Sequence, residues 1–563
     1  MRTSGALVFG AAVAMSAIVV AIARFRNAGT VVDFQLAGRR MGVTTNALAI
    51  CGDYVSAASF LGVAAAVYSA GLDGVWYATG FAAGFVPVAL FVAAPLRRLG
   101  ERSIPDFLAR RYRSEVVRQV AVVITELVIL AYLLPQAVGA GLAWELLGQG
   151  SLPGLSQYGT GIVVSTVLVA SMVVIGGMRG TTWNQALQFV VLVGILTWLV
   201  LAVLSDGFSY GAEVARLSAE PLQGLTAGPD GVPRVATVVS RITGEPARFS
   251  DPGTRYGAFG QVALVVTLVF GTTGLPHVMN RFLTSPSGRA ARMTAVWVVG
   301  LVGGFYSMAV LLGTAARSLI PGATADHAWL RALTIDGVLE VPEYALISLG
   351  RLFGGDAGLS VVTTGAVIAI MSTVAGLLLA ASATWGNDVY ERWINPAASR
   401  RQALAAGRVA VGVLAVVSAV LGLLLDPDQL TGSIPSVIAG LVTAAFGIAG
   451  STLAPVIVIG IWWPRATAHG AVAAMVVGFA TSTVSIGFGL FSDSASSVLT
   501  TPTIVSGTLA ILVMVVVSRL TQPTTDVDEL WIVMHGSAQD RSVERLASLT
   551  RSSAGASGRV RSP

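Results

Sequence analysis

The chain has 563 residues, of which 54% are hydrophobic and only 11% charged, with a formal net charge of +6. An ordinary soluble domain carries about 25% charged residues, so this composition excludes a water-soluble enzyme and points to lipid as the solvent. Every basic residue is arginine, and the charge is therefore read by its place along the chain, not as a nucleic-acid signal. One cysteine, Cys51, allows neither an intrachain disulfide nor a thiolate cluster, and four histidines leave little for a metal centre.

A membrane helix needs about 20 apolar residues. Runs of that kind predict about thirteen spans, in chain order 5–23, 43–70, 76–96, 116–147, 158–178, 184–205, 258–280, 292–316, 357–386, 404–425, 433–462, 467–488 and 502–519. The first run is preceded by Arg2 and followed by Arg24 and Arg26, which reads as a retained helix, not a cleaved signal peptide.

With the N-terminus outside, the arginines sort to one side. One inside connection holds Arg97, Arg98, Arg102, Arg110, Arg111, Arg113 and Arg118, a second holds Arg281, Arg289 and Arg292, and a third holds Arg392, Arg400, Arg401 and Arg408. The short outside loops 148–157 and 426–432 hold none. By the positive-inside rule the protein is expected in the cytoplasmic (inner) membrane, multi-pass, with its C-terminus in the cytoplasm. The long loop 206–257 falls outside. In the tail, "DVDELWIVMHG" reads as a short surface helix and "SSAGASGRVRSP" as disordered.

Two spans look broken. The span 43–70 carries "CGDYVSAAS" at its middle, and 258–280 carries "FGTTGLP", where Gly271, Gly274 and Pro276 cluster. Glycine weakens a helix and proline removes a backbone bond, so carbonyls and amides are freed at membrane depth. Such backbone is tolerated only where protein covers it or it lines a cavity. A pair of interrupted helices at corresponding places in two halves points to a transporter binding site. These two are five spans apart, and an odd repeat inverts the second copy. Glycines can also mark close helix packing.

On a continuous helix Asp53, Ser56 and Ala57 would share one face, with Ser59 away from it. Small alkali cations take hard oxygen ligands, and this segment offers carbonyls, hydroxyls and a carboxylate. Ser372 and Thr373 form a second hydroxyl cluster, one turn after Ala369, although serine and threonine also bond their own helix. Gln136, Thr272 and Thr273 are further polar groups at depth. Gln136 follows Pro135 and either bonds the carbonyl that proline frees or touches substrate. His277 and Arg281 read as interfacial anchors at a helix end. No Walker A, H-E-x-x-H or strand-borne G-x-S-x-G motif is present, so ATP-driven pumping and hydrolysis lack their machinery, and no enzyme is expected.

The runs "FQLAGRRMGVTTNALAICGDYVSAASFLG", "GLDGVWYATGF", "GGMRGTTWNQALQ", "FGTTGLPHVMNRFLT" and "GIWWPRATAHGA" resemble the sodium:solute symporter family over about residues 34–520. Within it, "GDYVSAASFLG" and "FGTTGLPHVMNRF" look most like the acetate permease branch of cation/acetate and monocarboxylate symporters. The resemblance implies an all-α, LeuT-like fold of about thirteen transmembrane helices. Its parts would be an extra helix and loop (1–42), inverted repeat one (43–205), the outer loop (206–257), inverted repeat two (258–462), two C-terminal helices (463–520) and a tail (521–563). It implies a sodium site made of the carbonyls of Gly52, Val55 and Ala369 and the hydroxyls of Ser372 and Thr373, with no cofactor beyond Na⁺ as coupling ion. Asp53, with Ser56 a possible coupling group, stays open as ligand, proton acceptor or brace. A small carboxylate would be met by half-helix ends and by Gly271, Thr272, Thr273 and Gln136, with no intramembrane arginine to clamp it.

The function expected is Na⁺-coupled uptake of acetate, propionate or pyruvate by alternating access. Proton coupling, another solute (proline, a sugar, pantothenate) and a passive channel are the alternatives. Substrate, Na⁺ or H⁺ and membrane lipid are the expected partners, with no nucleic acid and no obvious protein partner.

Overall fold

The computed structural model describes residues 2–25, 35–147, 150–228, 232–425, 437–491, 501–522 and 527–536. These residues are mostly helical, because a helix satisfies each backbone group within its own segment where no water can. Serines start five of the helices. Ser103, Ser114, Ser156, Ser287 and Ser399 accept from the amides of Asp106, Val117, Gly159, Ala290 and Gln402, each cap contributing ~1 kcal/mol.

The first half of the chain runs α1 (Arg2–Phe25), α2 (Val43–Tyr54), a π turn at Ala58–Gly62 leading into α3 (Val63–Ala70), α4 (75–99), α5 (Ile104–Tyr112), α6 (Glu115–Leu146) and α7 (Gln157–Ser205). After α8 (Tyr210–Leu217) come α9 (Ala258–Gly274), α10 (Pro276–Leu283), α11 (Gly288–Ala323) and α12 (Ala345–Ala383), which widens into π turns as far as Ile394. The last elements are α13 (Arg400–Leu424), α14 (Val437–Ser451), α15 (Leu453–Trp462), α16 (Ala468–Phe491), α17 (Thr503–Leu520) and α18 (Val527–His535).

By length and composition, nine helices among the described residues can cross a membrane, or ten if the pair α9 and α10, bent by 45°, is one span. That count does not reproduce the expected thirteen. Three of the nine, Ala58–Leu99, Gln157–Ser205 and Tyr344–Ile394, are 42, 49 and 51 residues long, far beyond one bilayer crossing. Each is interrupted by a glycine at positive φ, Gly71, Gly177 and Gly355.

The core forms around α12. The most apolar stretch of its span is 94% buried, against 33% for α13, α16 and α17. The two C-terminal helices therefore lie at the periphery and present Val484, Phe488, Leu512 and Val516 outward.

The loop 206–257 carries secondary structure of its own. It holds α8 and an antiparallel hairpin of β1 (Gln223–Ala227) and β2 (Pro233–Thr237), with Leu225 opposite Val235. Leu222 and Phe249 pack on Val67 of α3, and the buried Asp73 anchors the end of the loop. Its carboxylate accepts from the amides of Gly253 (3.0 Å) and Arg255 (3.2 Å) and from Gln261 Nε2 (2.7 Å). In the tail, the expected surface helix is α18, with Leu530 and Met534 buried. The stretch "SSAGASGRVRSP", expected to be disordered, lies outside the described residues.

Removing the Asp73 anchor should release the loop. A hydrogen bond to a charged group contributes ~1.5–3 kcal/mol, so Asp73→Ala is expected to speed trypsin cleavage at the exposed Arg234, Arg241 or Arg248 by at least about tenfold over the wild type. A timed digest of detergent-solubilised protein, read by mass spectrometry, checks this.

Candidate functional site

Both expected breaks are present. Helix α2 ends at Tyr54; Val55 is extended (φ −73, ψ 90), and helical structure resumes at Ala57. Helix α9 ends at Gly274, Leu275 is extended (ψ 116), and Pro276 opens α10. Because the backbone is not helical at Val55 and Ser56, the expected common face of Asp53, Ser56 and Ala57 does not exist. The two sides of the break point independently.

Helix α12 passes the first break with Ala369, Ser372 and Thr373 fully buried. Thr373 Oγ1 donates to the Asp53 carbonyl at 2.8 Å, and Gln185 Nε2 donates to the Ser372 carbonyl at 2.7 Å. The approach is close enough to require glycine at two points. A Cβ on Gly52 would fall 2.3 Å from the Gln185 carbonyl oxygen, and one on Gly376 would fall 1.8 Å from Asp53 Oδ1. The structure therefore brings Gly52, Asp53, Ser372 and Thr373 together. Val55 and Ala369 are buried beside them, with no side-chain contact that defines a role.

Asp53 is braced. Its Oδ2 accepts from Arg281 Nε at 3.2 Å. Arg281 also donates to Thr182 Oγ1 (2.7 Å) and to Gln185 Oε1. This corrects two expectations: Arg281 is not an interfacial anchor, and an intramembrane arginine does exist, already engaged by Asp53. The reason is the 45° bend at Leu275, which turns the face of α10 carrying Arg281 into the bundle. His277, one turn earlier on the same face, is likewise buried. Both of its ring nitrogens lack hydrogen-bond partners, and its ring lies 5.5 Å from that of Tyr132.

The expected substrate residues divide into two groups. Gln136 Oε1 accepts from the Ala57 amide at 3.3 Å, capping the helix that restarts after the first break, while its Nε2 has no partner. The amide thus does not serve the carbonyl freed by Pro135. Thr272 Oγ1 donates to Leu268 of its own helix and lies 2.7 Å from the Tyr54 hydroxyl. Gly271 packs on Phe446, and Thr273 is buried. Among the described residues no hydrogen bond joins Gln136 to Thr272 or Thr273. Among the described residues around the breaks, Asp53 Oδ1, Ser56 Oγ, Gln136 Nε2, the His277 nitrogens and Ser372 Oγ are buried without partners. Each such group costs ~1–3 kcal/mol until a polar partner meets it.

Away from this centre, Arg118 bridges Asp106 Oδ1 (2.7 Å) and Asp388 Oδ1 (2.5 Å), and Ser103 Oγ donates to Asp388 Oδ2 (2.6 Å). That cluster ties α5 and α6 to the end of α12. Sequence reading missed Arg281, His277, Thr182 and Gln185 as parts of the centre. A signal was present: His277 and Arg281 stand one helical turn apart just beyond a broken helix, and Thr182 and Gln185 stand three apart at the start of an apolar run.

Two broken helices around a buried polar centre in a helical membrane bundle are the working parts of a secondary transporter. The chain belongs to the sodium:solute symporter family, which residues 34–478 match, and it is a transporter, not an enzyme. It is 32% identical over 460 residues to a monocarboxylic acid transporter of Corynebacterium glutamicum, covering 79% of this chain and 76% of that one. It is also 32% identical over 490 residues to the uncharacterized symporter YwcA of Bacillus subtilis, covering 86% of each. Among solved structures, its fold is similar to that of a Na⁺-coupled sialic acid symporter in a substrate-bound outward-open state (TM-score 0.68, 16% identity, covering 92% of this chain and 98% of that one). It is also similar to a nucleobase-cation-symport-1 family transporter in a closed conformation (TM-score 0.53, 14% identity, covering 89% and 98%). The fold is thus the LeuT-like one expected.

Removing one member of a buried ion pair strands the other, at ~3–5 kcal/mol. Arg281→Gln is expected to lower the thermal midpoint in detergent strongly, and the double variant Asp53→Asn with Arg281→Gln to recover part of the loss. Thermal unfolding of the three proteins followed by tryptophan fluorescence measures the coupling.

Proposed function

We propose that this protein couples entry of Na⁺ to uptake of a short monocarboxylate, acetate, propionate or pyruvate, by alternating access across the cytoplasmic membrane, with its N-terminus outside and its C-terminus in the cytoplasm. The observation that carries the reading is the seat of Ser372 and Thr373 against the broken end of α2, with one hydroxyl bonded to the Asp53 carbonyl and the other buried and unpartnered. A desolvated monovalent cation takes hydroxyl and carbonyl oxygens of this kind. The carbonyls of Gly52, Val55 and Ala369 complete the proposed cation set, and Asp53 acts as the brace. The substrate's carboxylate is met on the far side of the break by the Gln136 amide, the Ser56 hydroxyl and His277, together with the first turn of α10 after Pro276, where the helix N-terminus favours an anion. Gly271, Thr272 and Thr273 shape the wall that closes against Tyr54. The monocarboxylic acid transporter among the relatives supports this choice of cargo.

The test is uptake of labelled acetate into proteoliposomes under an imposed Na⁺ gradient at constant pH. Accumulation above equilibrium is expected, with competition by unlabelled propionate and pyruvate and none by proline, glucose or pantothenate. Uptake that ignores Na⁺ and follows a pH gradient overturns sodium coupling, and flux that only equilibrates marks a channel. In the same assay, Ser372→Ala or Thr373→Ala is expected to raise the Na⁺ concentration for half-maximal uptake about tenfold, the size of one lost polar contact of ~1.4 kcal/mol, with a smaller change in substrate affinity.

A further inference from the structure

Beyond the end of α10, arginines converge on a second cavity. Arg39, Arg97, Arg98, Arg110 and Arg113 line a space of about 590 Å³, with Glu529 of α18 beside them. A volume of this size suits a small-molecule or headgroup site. Arg113 lies 3.5 Å from Glu529, and Arg110 pairs with Glu101. Burial, together with the adjoining Asp106, holds the Glu101 carboxyl above the usual carboxylate range, against the pull of Arg110. Among the described residues the lining holds five arginines and one carboxylate, that of Glu529.

The placement of Arg39 is built into the backbone. Ala37, Gly38 and Arg39 lie at φ 49, 66 and 57, and two of these three are residues that seldom adopt the left-handed region. Strain of this sort persists where the surroundings impose it, and it collects at binding and switch sites. From this turn Arg39 reaches the carbonyls of Gly100 and Glu101, while its Nε is buried without a hydrogen-bond partner. The cavity also has a fixed wall: Arg98 Nη1 donates to the Met534 carbonyl at 2.7 Å and so holds α18, whose Leu530 and Val533 complete the lining. Arg97 and Arg98 end the span Ala58–Leu99, which sets the cavity at the edge of the hydrocarbon layer.

We propose that this cavity binds a phosphate-bearing anion. The planar guanidinium fork matches phosphate oxygens in pairs, and several forks around one space suit a group with more oxygens than a carboxylate has. A basic pocket at the membrane edge takes the headgroup of an anionic lipid, and a free phosphate compound would offer the same chemistry.

The experiment uses the full chain purified in detergent, with three probes: phosphatidylglycerol, phosphatidylcholine and inorganic pyrophosphate. Phosphatidylglycerol or pyrophosphate is expected to raise the thermal midpoint at low salt, with the effect lost at high salt, and phosphatidylcholine to have none. Arg39→Gln is expected to weaken the apparent affinity about tenfold, the size of one lost charge-assisted contact. A response to phosphatidylglycerol alone identifies a lipid headgroup; a response to pyrophosphate that also displaces phosphatidylglycerol in native mass spectra identifies a site open to free phosphates. If Arg39→Gln does not fold, Arg113→Gln at the same cavity carries the same expectation. The proposal is overturned if neither anion stabilises the wild type, or if the folded variant responds as the wild type does.

Discussion

The buried Arg281–Asp53 pair is the interaction on which the centre of this protein depends. Two charges at membrane depth cost several kcal/mol unless they are paired and hydrogen-bonded. Here Arg281 spends its Nε on Asp53 and its two terminal nitrogens on Thr182 and Gln185, and Gln185 reaches on to the Ser372 carbonyl. One network therefore ties α2, the second half of α7, α10 and α12. Gly52 and Gly376 are its steric condition, since a methyl group at either would enter the space of Gln185 or Asp53. The first segment of one broken helix pair, α2, and the second segment of the other, α10, are in this way fastened to each other across the two halves of the chain.

The network also explains why the polar atoms sort as they do. On the α2 side of the first break, the Asp53 carboxylate pairs with Arg281, its carbonyl accepts from Thr373, and Gln185 links Arg281 to the Ser372 carbonyl, with Asp53 Oδ1 and Ser372 Oγ left without partners among the described residues. On the other side, Ser56 Oγ, Gln136 Nε2 and the His277 nitrogens are buried and unspent. A fixed half adjoins an open half. That division suits the proposed arrangement, in which an ion is seated on the fixed side and a carboxylate is received on the open one, because binding energy is not consumed in ordering the ion site.

Both breaks were legible in the sequence because glycine and proline act locally. "CGDYVSAAS" and "FGTTGLP" announce a failed helix whatever surrounds them, and the hydroxyl pair Ser372–Thr373 was legible through its resemblance to a known family. The Arg281–Asp53 pair was not. The two residues are 228 positions apart, and counting along α10 put Arg281 near the membrane boundary, since a straight helix would carry it there. Only the bend at Leu275 brings it inside. The common face assigned to Asp53 and Ser56 failed for the complementary reason: it assumed a continuous helix through the residues that the same reading had identified as broken. The structure within the loop 206–257 was not read from its sequence, because its anchors, Asp73 and Val67, lie in another part of the chain.

The choice between a sodium ion and a proton follows from the same geometry. A proton-coupled cycle would load and unload Asp53, the carboxylate nearest the break. Each protonation would remove the counterion of Arg281 while leaving that guanidinium buried, a penalty of ~3–5 kcal/mol imposed on every turnover. A cation held by hydroxyl and carbonyl oxygens leaves the pair intact. Thr373 can serve there without giving up its present bond, for a hydroxyl has one proton to donate and two lone pairs. Its proton is on the Asp53 carbonyl, and its lone pairs remain available. Ser372 Oγ next to it makes no bond at all. The fold thus sets neutral oxygen ligands beside a charge pair that is costly to disturb, and this favours an ion that binds without titrating anything.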